Sequence, residues 1–102
     1  MLTQNEILST LTSNSNYLID LGIKDIGLYG SYAKDLQNDK SDIDILIDFY
    51  PEKETFDNFM NSIYFIENLF VNNKIDIVTK NGLSKYIGPG ILKEVKYAKI
   101  SD

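Results

Sequence analysis

The sequence predicts an α/β fold, a small mixed sheet of about three to four strands flanked by helices, and three observations carry that prediction. Segments with apolar residues at helical spacing alternate with short strand-like runs, in the order α-β-α-β-α-β-α. One run, Asp42 to Phe49, alternates strictly between aspartate or leucine and isoleucine or, at its end, phenylalanine, as a strand with two unlike faces does. Turn-forming residues (Gly22, Gly30, Pro51 and Asn81-Gly82) fall between the runs. At 102 residues the chain is expected to form one domain spanning 1–102.

Residues 3–20 read as a first helix, with Thr3 and Glu6 in the capping-box pattern and Ile7, Leu8, Leu11 and Leu18 near one stripe. The polar stretch Ser13-Asn14-Ser15-Asn16 weakens its middle, and Gly22 is placed to end it. Lys24 to Tyr29 is a short strand, and Ser31 to Leu36 a brief helix after Gly30. A polar turn, Gln37 to Lys40, leads to the strand Asp42–Phe49, which Pro51 stops. Its alternation sets Ile43, Ile45 and Ile47 against Asp42, Asp44, Leu46 and Asp48. A helix from about Thr55 to Phe70 carries Phe56, Phe59, Met60, Ile63, Ile66 and Phe70 toward the core. Lys74 to Thr79 is the third strand, and Pro89 suits the first turn of a last helix with Ile91, Leu92 and Val95.

Composition excludes several chemistries. With no cysteine and no histidine, disulfides, thiol nucleophiles, histidine bases and histidine-ligated zinc are all ruled out. Catalysis is left to carboxylates, lysine, tyrosine, hydroxyls or a hard cation held by oxygen. The net charge is -5 and the lysines are scattered, so direct binding of long nucleic acid is not expected. A small polyphosphate remains accessible to an acidic protein when magnesium neutralises the site. The segment Met1-Leu2-Thr3-Gln4 has neither the basic nor the apolar region of a signal peptide, and no apolar run approaches membrane-spanning length. A cytoplasmic location, without membrane association, is the expectation.

Asp42 and Asp44 lie two apart on a strand and point the same way. Like charges so placed repel, and a divalent cation relieves the repulsion. Magnesium prefers oxygen ligands and is commonly held by one or two carboxylates plus substrate phosphates. A bare pair of alternating aspartates is equally what a solvated strand face carries. Its context is Gly30-Ser31, at a strand-to-helix junction, where backbone N–H groups attract phosphate and glycine allows close approach. Taken alone, Gly-Ser is also an ordinary turn with a serine cap.

Together, Gly30-Ser31-Tyr32, about ten residues, then Ser41-Asp42-Ile43-Asp44 and the apolar Ile45-Leu46-Ile47 resemble the signature of the DNA polymerase-beta-like nucleotidyltransferases. The similarity is above all to the minimal nucleotidyltransferases, short single domains often paired with a HEPN-domain toxin. The resemblance implies a third carboxylate on a neighbouring strand, which Asp76 in Ile75-Asp76-Ile77-Val78 supplies. It implies that Asp42, Asp44 and Asp76 are catalytic and hold magnesium (Mg2+), and that Asp76 holds a second ion or draws the acceptor's proton. It implies that Gly30 and Ser31, with Lys34, bind the phosphates of ATP. The chain departs from the family where Ala33-Lys34-Asp35 replaces a common Ala-Arg-Gly. Lysine keeps the charge without arginine's fork, and aspartate must take the turn that glycine takes easily. Asp48 is read as solvated or peripheral, Phe56, Phe59, Phe65 and Phe70 as packing residues, and Tyr32 as the tyrosine nearest the phosphate loop.

The function expected from this resemblance is magnesium-dependent transfer of AMP from ATP to a protein hydroxyl, a tyrosine of a HEPN ribonuclease toxin, so that the chain acts as antitoxin within a hetero-oligomer. Two other readings compete: a non-catalytic module that inhibits its partner by contact, and a subunit that modifies a small molecule.

Overall fold

A computed structural model describes residues 1–101. Helices α1 (Gln4–Ser13) and α2 (Ser15–Asp20) precede strand β1 (Ile23–Tyr29). The one-turn helix α3 (Gly30–Ala33), strand β2 (Ile43–Phe49) and the long helix α4 (Phe56–Leu69) follow. Strand β3 (Ile75–Thr79), helix α5 (Gly88–Glu94) and the short strand β4 (Lys96–Tyr97) complete the order. The sheet is mixed and runs β3-β2-β1-β4. Strand β1 is antiparallel to both β2 and β4, whereas β2 and β3 are parallel. The parallel pair is joined through α4, as a parallel connection requires.

Helix α1 begins as its sequence dictates. The Thr3 hydroxyl accepts from the Glu6 N–H at 3.1 Å, and the Glu6 carboxylate accepts from the Thr3 N–H at 3.0 Å. Both bonds satisfy donors that a helix start leaves free. Thr3→Ala is expected to lower the unfolding free energy by about 1 kcal/mol, read from the urea midpoint with an unchanged slope.

The expected single helix over 3–20 is two helices. Asn14 takes φ -107° and ψ 20°, outside the helical region, and its side-chain amide donates to the Thr10 carbonyl at 2.8 Å. Such local side-chain bonding competes with the helix ladder. The break redirects α2, so that Leu18 is buried while the Tyr17 ring stacks on Phe65 of α4 at 4.5 Å. Gly22, with φ +90°, closes α2 as expected.

The apolar face of the sheet meets the helices. Ile26 and Leu28 of β1 and Ile43, Ile45 and Ile47 of β2 are fully buried, with Ile7, Leu11 and Leu18 from the first two helices and Ile66 from α4. Burying each such side chain contributes roughly 1.5–3 kcal/mol. Phe70 belongs to this core, and Phe59 and Phe65 pack against it. Phe56 does not: it is 76% exposed, as the first residue of α4. Strand β4 was not expected. Its two residues carry no readable alternation, and they become a strand by pairing with Gly27 and Leu28.

Candidate active site

The second face of the sheet carries the polar residues, and the strand register lays them out in rows. Tyr29, Asp44 and Asp76 are paired across β1, β2 and β3 in one row; Gly27, Leu46 and Val78 form the next; Asp25 and Asp48 follow. Side chains paired across adjacent strands on one face are near neighbours. Asp44 and Asp76 therefore stand side by side at the end of the sheet where β1 runs into Gly30. Leu46 shares their face but is buried. The C-terminal segment packs on Gly27 of this row, where a Cβ would lie 2.6 Å from a Val95 methyl.

Gly30 is built for its neighbour. Its φ is +72°, a left-handed conformation that glycine adopts without penalty. A Cβ there would run into the Asp44 carboxylate, Oδ2 first and Cγ at 3.2 Å. The Gly30 backbone and Asp44 are thus in direct apposition, and Gly30, followed by Ser31, opens the single turn of α3. Asp35 takes φ +57°, the left-handed turn for which glycine is the usual residue and aspartate a tolerated one.

Asp42 lies one residue before β2 rather than within it. The Ile43 N–H donates to the Lys74 carbonyl at 2.9 Å, which brings Lys74 alongside, and the Lys74 ammonium sits 3.9 Å from the Asp42 carboxylate. Both side chains are solvent-exposed, so this contact is a weak one. Among the described residues, no three carboxylates converge into a ready-made cation cage. Asp42, Asp44 and Asp76 share one end and one face of the sheet, but they are not gathered around a point.

Their coupling shows in Asp44. Burial first, then the charges of Asp76, Asp42 and Glu94, push its carboxyl up to about 6. The same surroundings, burial before the carboxylates of Asp44, Asp76 and Glu94, push the Tyr29 hydroxyl up to about 12. An all-oxygen set that resists carrying its charges fits a hard divalent cation. The folded state favours neutral Asp44, so this group's contribution to stability is greatest below its ordinary value of 3.8 and declines as the pH climbs through about 6. Glu94 runs oppositely. Its carboxyl is held below the ordinary 4.5, chiefly by the Gly30 N–H, so its contribution persists above that value and is lost as the pH falls. Asp44→Asn is accordingly expected to raise the thermal midpoint in magnesium-free buffer near neutral pH by about 2–4 °C, with the gain vanishing near pH 4, as scanning calorimetry reads directly.

Two residues of the site carried no readable signal in the sequence. Tyr29 joins through its pairing with Asp44. Glu94, the last residue of α5, accepts the Gly30 N–H at 3.0 Å through one oxygen and pairs with the Lys34 ammonium at 3.1 Å through the other. Lys34, expected at the phosphates, is thus engaged by Glu94. Tyr32 is not available to stack on a base, because its side chain is buried in the core. A cavity of about 510 Å³ lies elsewhere, between the start of α1, Asn38-Asp39 and the turn after α4, and none of the carboxylates Asp42, Asp44 and Asp76 lines it. The carboxylates face an open surface.

A four-stranded mixed sheet with aspartates on its open face beside a Gly-Ser turn is the layout of a nucleotidyl-transfer enzyme. The nucleotidyltransferase domain family model matches residues 7–101. Protein adenylyltransferase MntA of Thermococcus cleftensis is 36% identical over 98 residues, covering 95% of this chain and 97% of that one. MJ1215 of Methanocaldococcus jannaschii, provisionally named a protein adenylyltransferase, is 36% identical over 84 residues, covering 81% and 95% of the two chains. In fold, the chain is similar to a structure described as a minimal nucleotidyltransferase, with a TM-score of 0.68 at 24% identity over 87% of this chain and 93% of that one. It is also similar to a chain of a toxin–antitoxin complex solved with AMP-PNP, with a TM-score of 0.62 at 20% identity over 87% and 75%. The chain belongs to the nucleotidyltransferase domain family and is a nucleotidyltransferase.

Proposed function

We propose that this enzyme transfers AMP from ATP, with magnesium, to a hydroxyl of a partner protein, a tyrosine of a HEPN ribonuclease toxin, and thereby acts as its antitoxin. The observation that carries the reading is Asp44 standing against Gly30 of the Gly-Ser turn, with Asp76 paired beside it on the next strand. Near full-length similarity to a protein adenylyltransferase supports the choice of a protein as acceptor. Similarity to a chain of a toxin–antitoxin complex with AMP-PNP supports the partner and the adenine nucleotide.

In this reading the triphosphate lies over the open face with its outer phosphates at Gly30, Ser31 and Lys34. The acceptor oxygen attacks the α-phosphorus, the bond from that phosphorus to the bridging β-oxygen breaks, and pyrophosphate leaves. Asp42 and Asp44 would hold magnesium, which supplies charge neutralisation for the triphosphate when bound. Asp76 would hold a second ion or accept the hydroxyl proton. No histidine is present to do so.

A second reading has one observation in its favour. The Lys34 ammonium is paired with Glu94, which suits a module that blocks its partner by contact. Label transfer separates the two. With ATP labelled at the α-phosphate, the partner becomes labelled in the first reading; with label at the γ-phosphate, it does not. No label from either, with the toxin still silenced, would leave the contact reading standing. GTP, CTP and UTP in the same assay test the nucleotide preference.

A further inference from the structure

The phosphate side of the site already contains an anion of the protein's own. Glu94 uses both carboxylate oxygens, one on the Gly30 N–H at 3.0 Å and one on the Lys34 ammonium at 3.1 Å. These are a donor of the glycine turn and the cation beside it, from which the proposed function builds the phosphate contacts. Glu94 reaches them across 64 residues of sequence. It is held there from both sides, as the last residue of α5 and two residues before β4, whose Lys96 and Tyr97 pair with β1. It also adds a fourth negative charge to the field of Asp42, Asp44 and Asp76.

We propose that Glu94 is a positioning residue that competes with the nucleotide's outer phosphates for the Gly30 N–H and the Lys34 ammonium, and so sets how tightly the enzyme holds its triphosphate. The carboxylate and a phosphate oxygen want the same donors, and both are negative, so they do not share them. Entry of the triphosphate exchanges one anion for another: Lys34 turns from Glu94 to the phosphates, and Glu94 is released to solvent. The side chains are 53% and 25% exposed, respectively, so neither is locked in by packing. The exchange weakens net affinity and keeps the turn ordered until the nucleotide arrives. This inference rests on the nucleotide-binding reading of the site.

The test is isothermal titration of the whole chain, with magnesium, by two probes: inorganic tripolyphosphate and an ATP analogue with a methylene bridge between the α and β phosphates. Glu94→Gln keeps an oxygen for the Gly30 N–H but gives up the charge. It is expected to bind both probes about 5–20-fold more tightly than the wild type. In a Lys34→Gln background, Glu94→Gln is expected to gain less than half of that factor, because no lysine is freed. Equal gains with and without Lys34 would contradict the exchange. Unchanged or weaker binding by Glu94→Gln, with its thermal midpoint retained, would overturn the proposal and leave Glu94 as a fixed support for Lys34. If Glu94→Gln fails to fold, Glu94→Asp, which shortens the reach, is expected to tighten binding in the same direction, and weaker binding by that variant would equally overturn it. A wild-type chain that binds neither probe would remove the nucleotide reading itself, and this inference with it.

Discussion

Replacing Asp42 and Asp44 together by asparagine is expected to reduce nucleotide transfer by at least about 10³-fold without unfolding the protein. The size follows from what the two carboxylates are proposed to supply. Charge stabilisation at a transferring phosphoryl group amounts to several kcal/mol, and each ~1.4 kcal/mol is a factor of ten in rate. The fold should survive because neither residue contributes to the core: Asp42 precedes β2 and is 40% exposed, and Asp44 lies on the open face. The Asp44 carboxyl is in fact held at a cost to the folded state, with its ionisation pushed up to about 6. A double variant that loses transfer yet melts at or above the wild-type temperature is the expected pairing of results. Loss of activity together with early melting would indicate that these residues hold the sheet rather than the reaction. The comparison requires circular dichroism melts and transfer rates on the same preparations.

Gly30→Ala is expected to damage both stability and activity. A non-glycine residue at φ +72° costs about 1–2 kcal/mol. The added methyl also meets the Asp44 carboxylate, whose Cγ would be 3.2 Å away and Oδ2 closer still. Either the turn or Asp44 must move. A displacement of about 1 Å in a positioned group can cost ~10²-fold in rate. The thermal midpoint should fall by several degrees, and the nucleotide affinity should fall with it, because the Gly30 N–H belongs to the strand-to-helix turn that shifts. Unaltered affinity and rate in a variant that folds would show that this turn does not touch the phosphates. Ala at Gly90, where a Cβ would meet nothing within 4 Å, is the control for a glycine that has room.

Much of this fold was legible because its signals are local. The alternation Asp42 to Phe49 gave a strand with a buried isoleucine face, and Thr3 with Glu6 gave the first helix start as observed. Gly30-Ser31 beside the aspartates gave the nucleotidyltransferase class. What was not legible depends on partners distant in sequence. Lys96 and Tyr97 form a strand only because β1 has a free edge. Leu46 is buried on the otherwise polar face, beside Gly27, against which Val95 packs, and the strand's own pattern does not record this. Phe56 fits the helical stripe of α4 but, at the helix's first residue, stays exposed. The ion pair of Lys34 is not legible for the same reason. Its counter-ion, Glu94, lies at the far end of the chain and carries no motif.

Asn14 is a different case. The Ser/Asn stretch was recognised as a weak point in the helix, and the competing side-chain bond to Thr10 turned weakness into a break. Propensity gives the location of such a break but not its angle. The angle follows from packing, through Leu18 in the core and Tyr17 against Phe65.

The most direct test of the central claim is the intact mass of the partner protein after incubation with this chain, ATP and magnesium, beside the Asp42→Asn, Asp44→Asn double variant. A mass increase of one or more AMP units on the partner is expected, located to a tyrosine by fragmentation and missing with the double variant. An unmodified partner that is nonetheless tightly bound and silenced, equally by wild type and double variant, would contradict it.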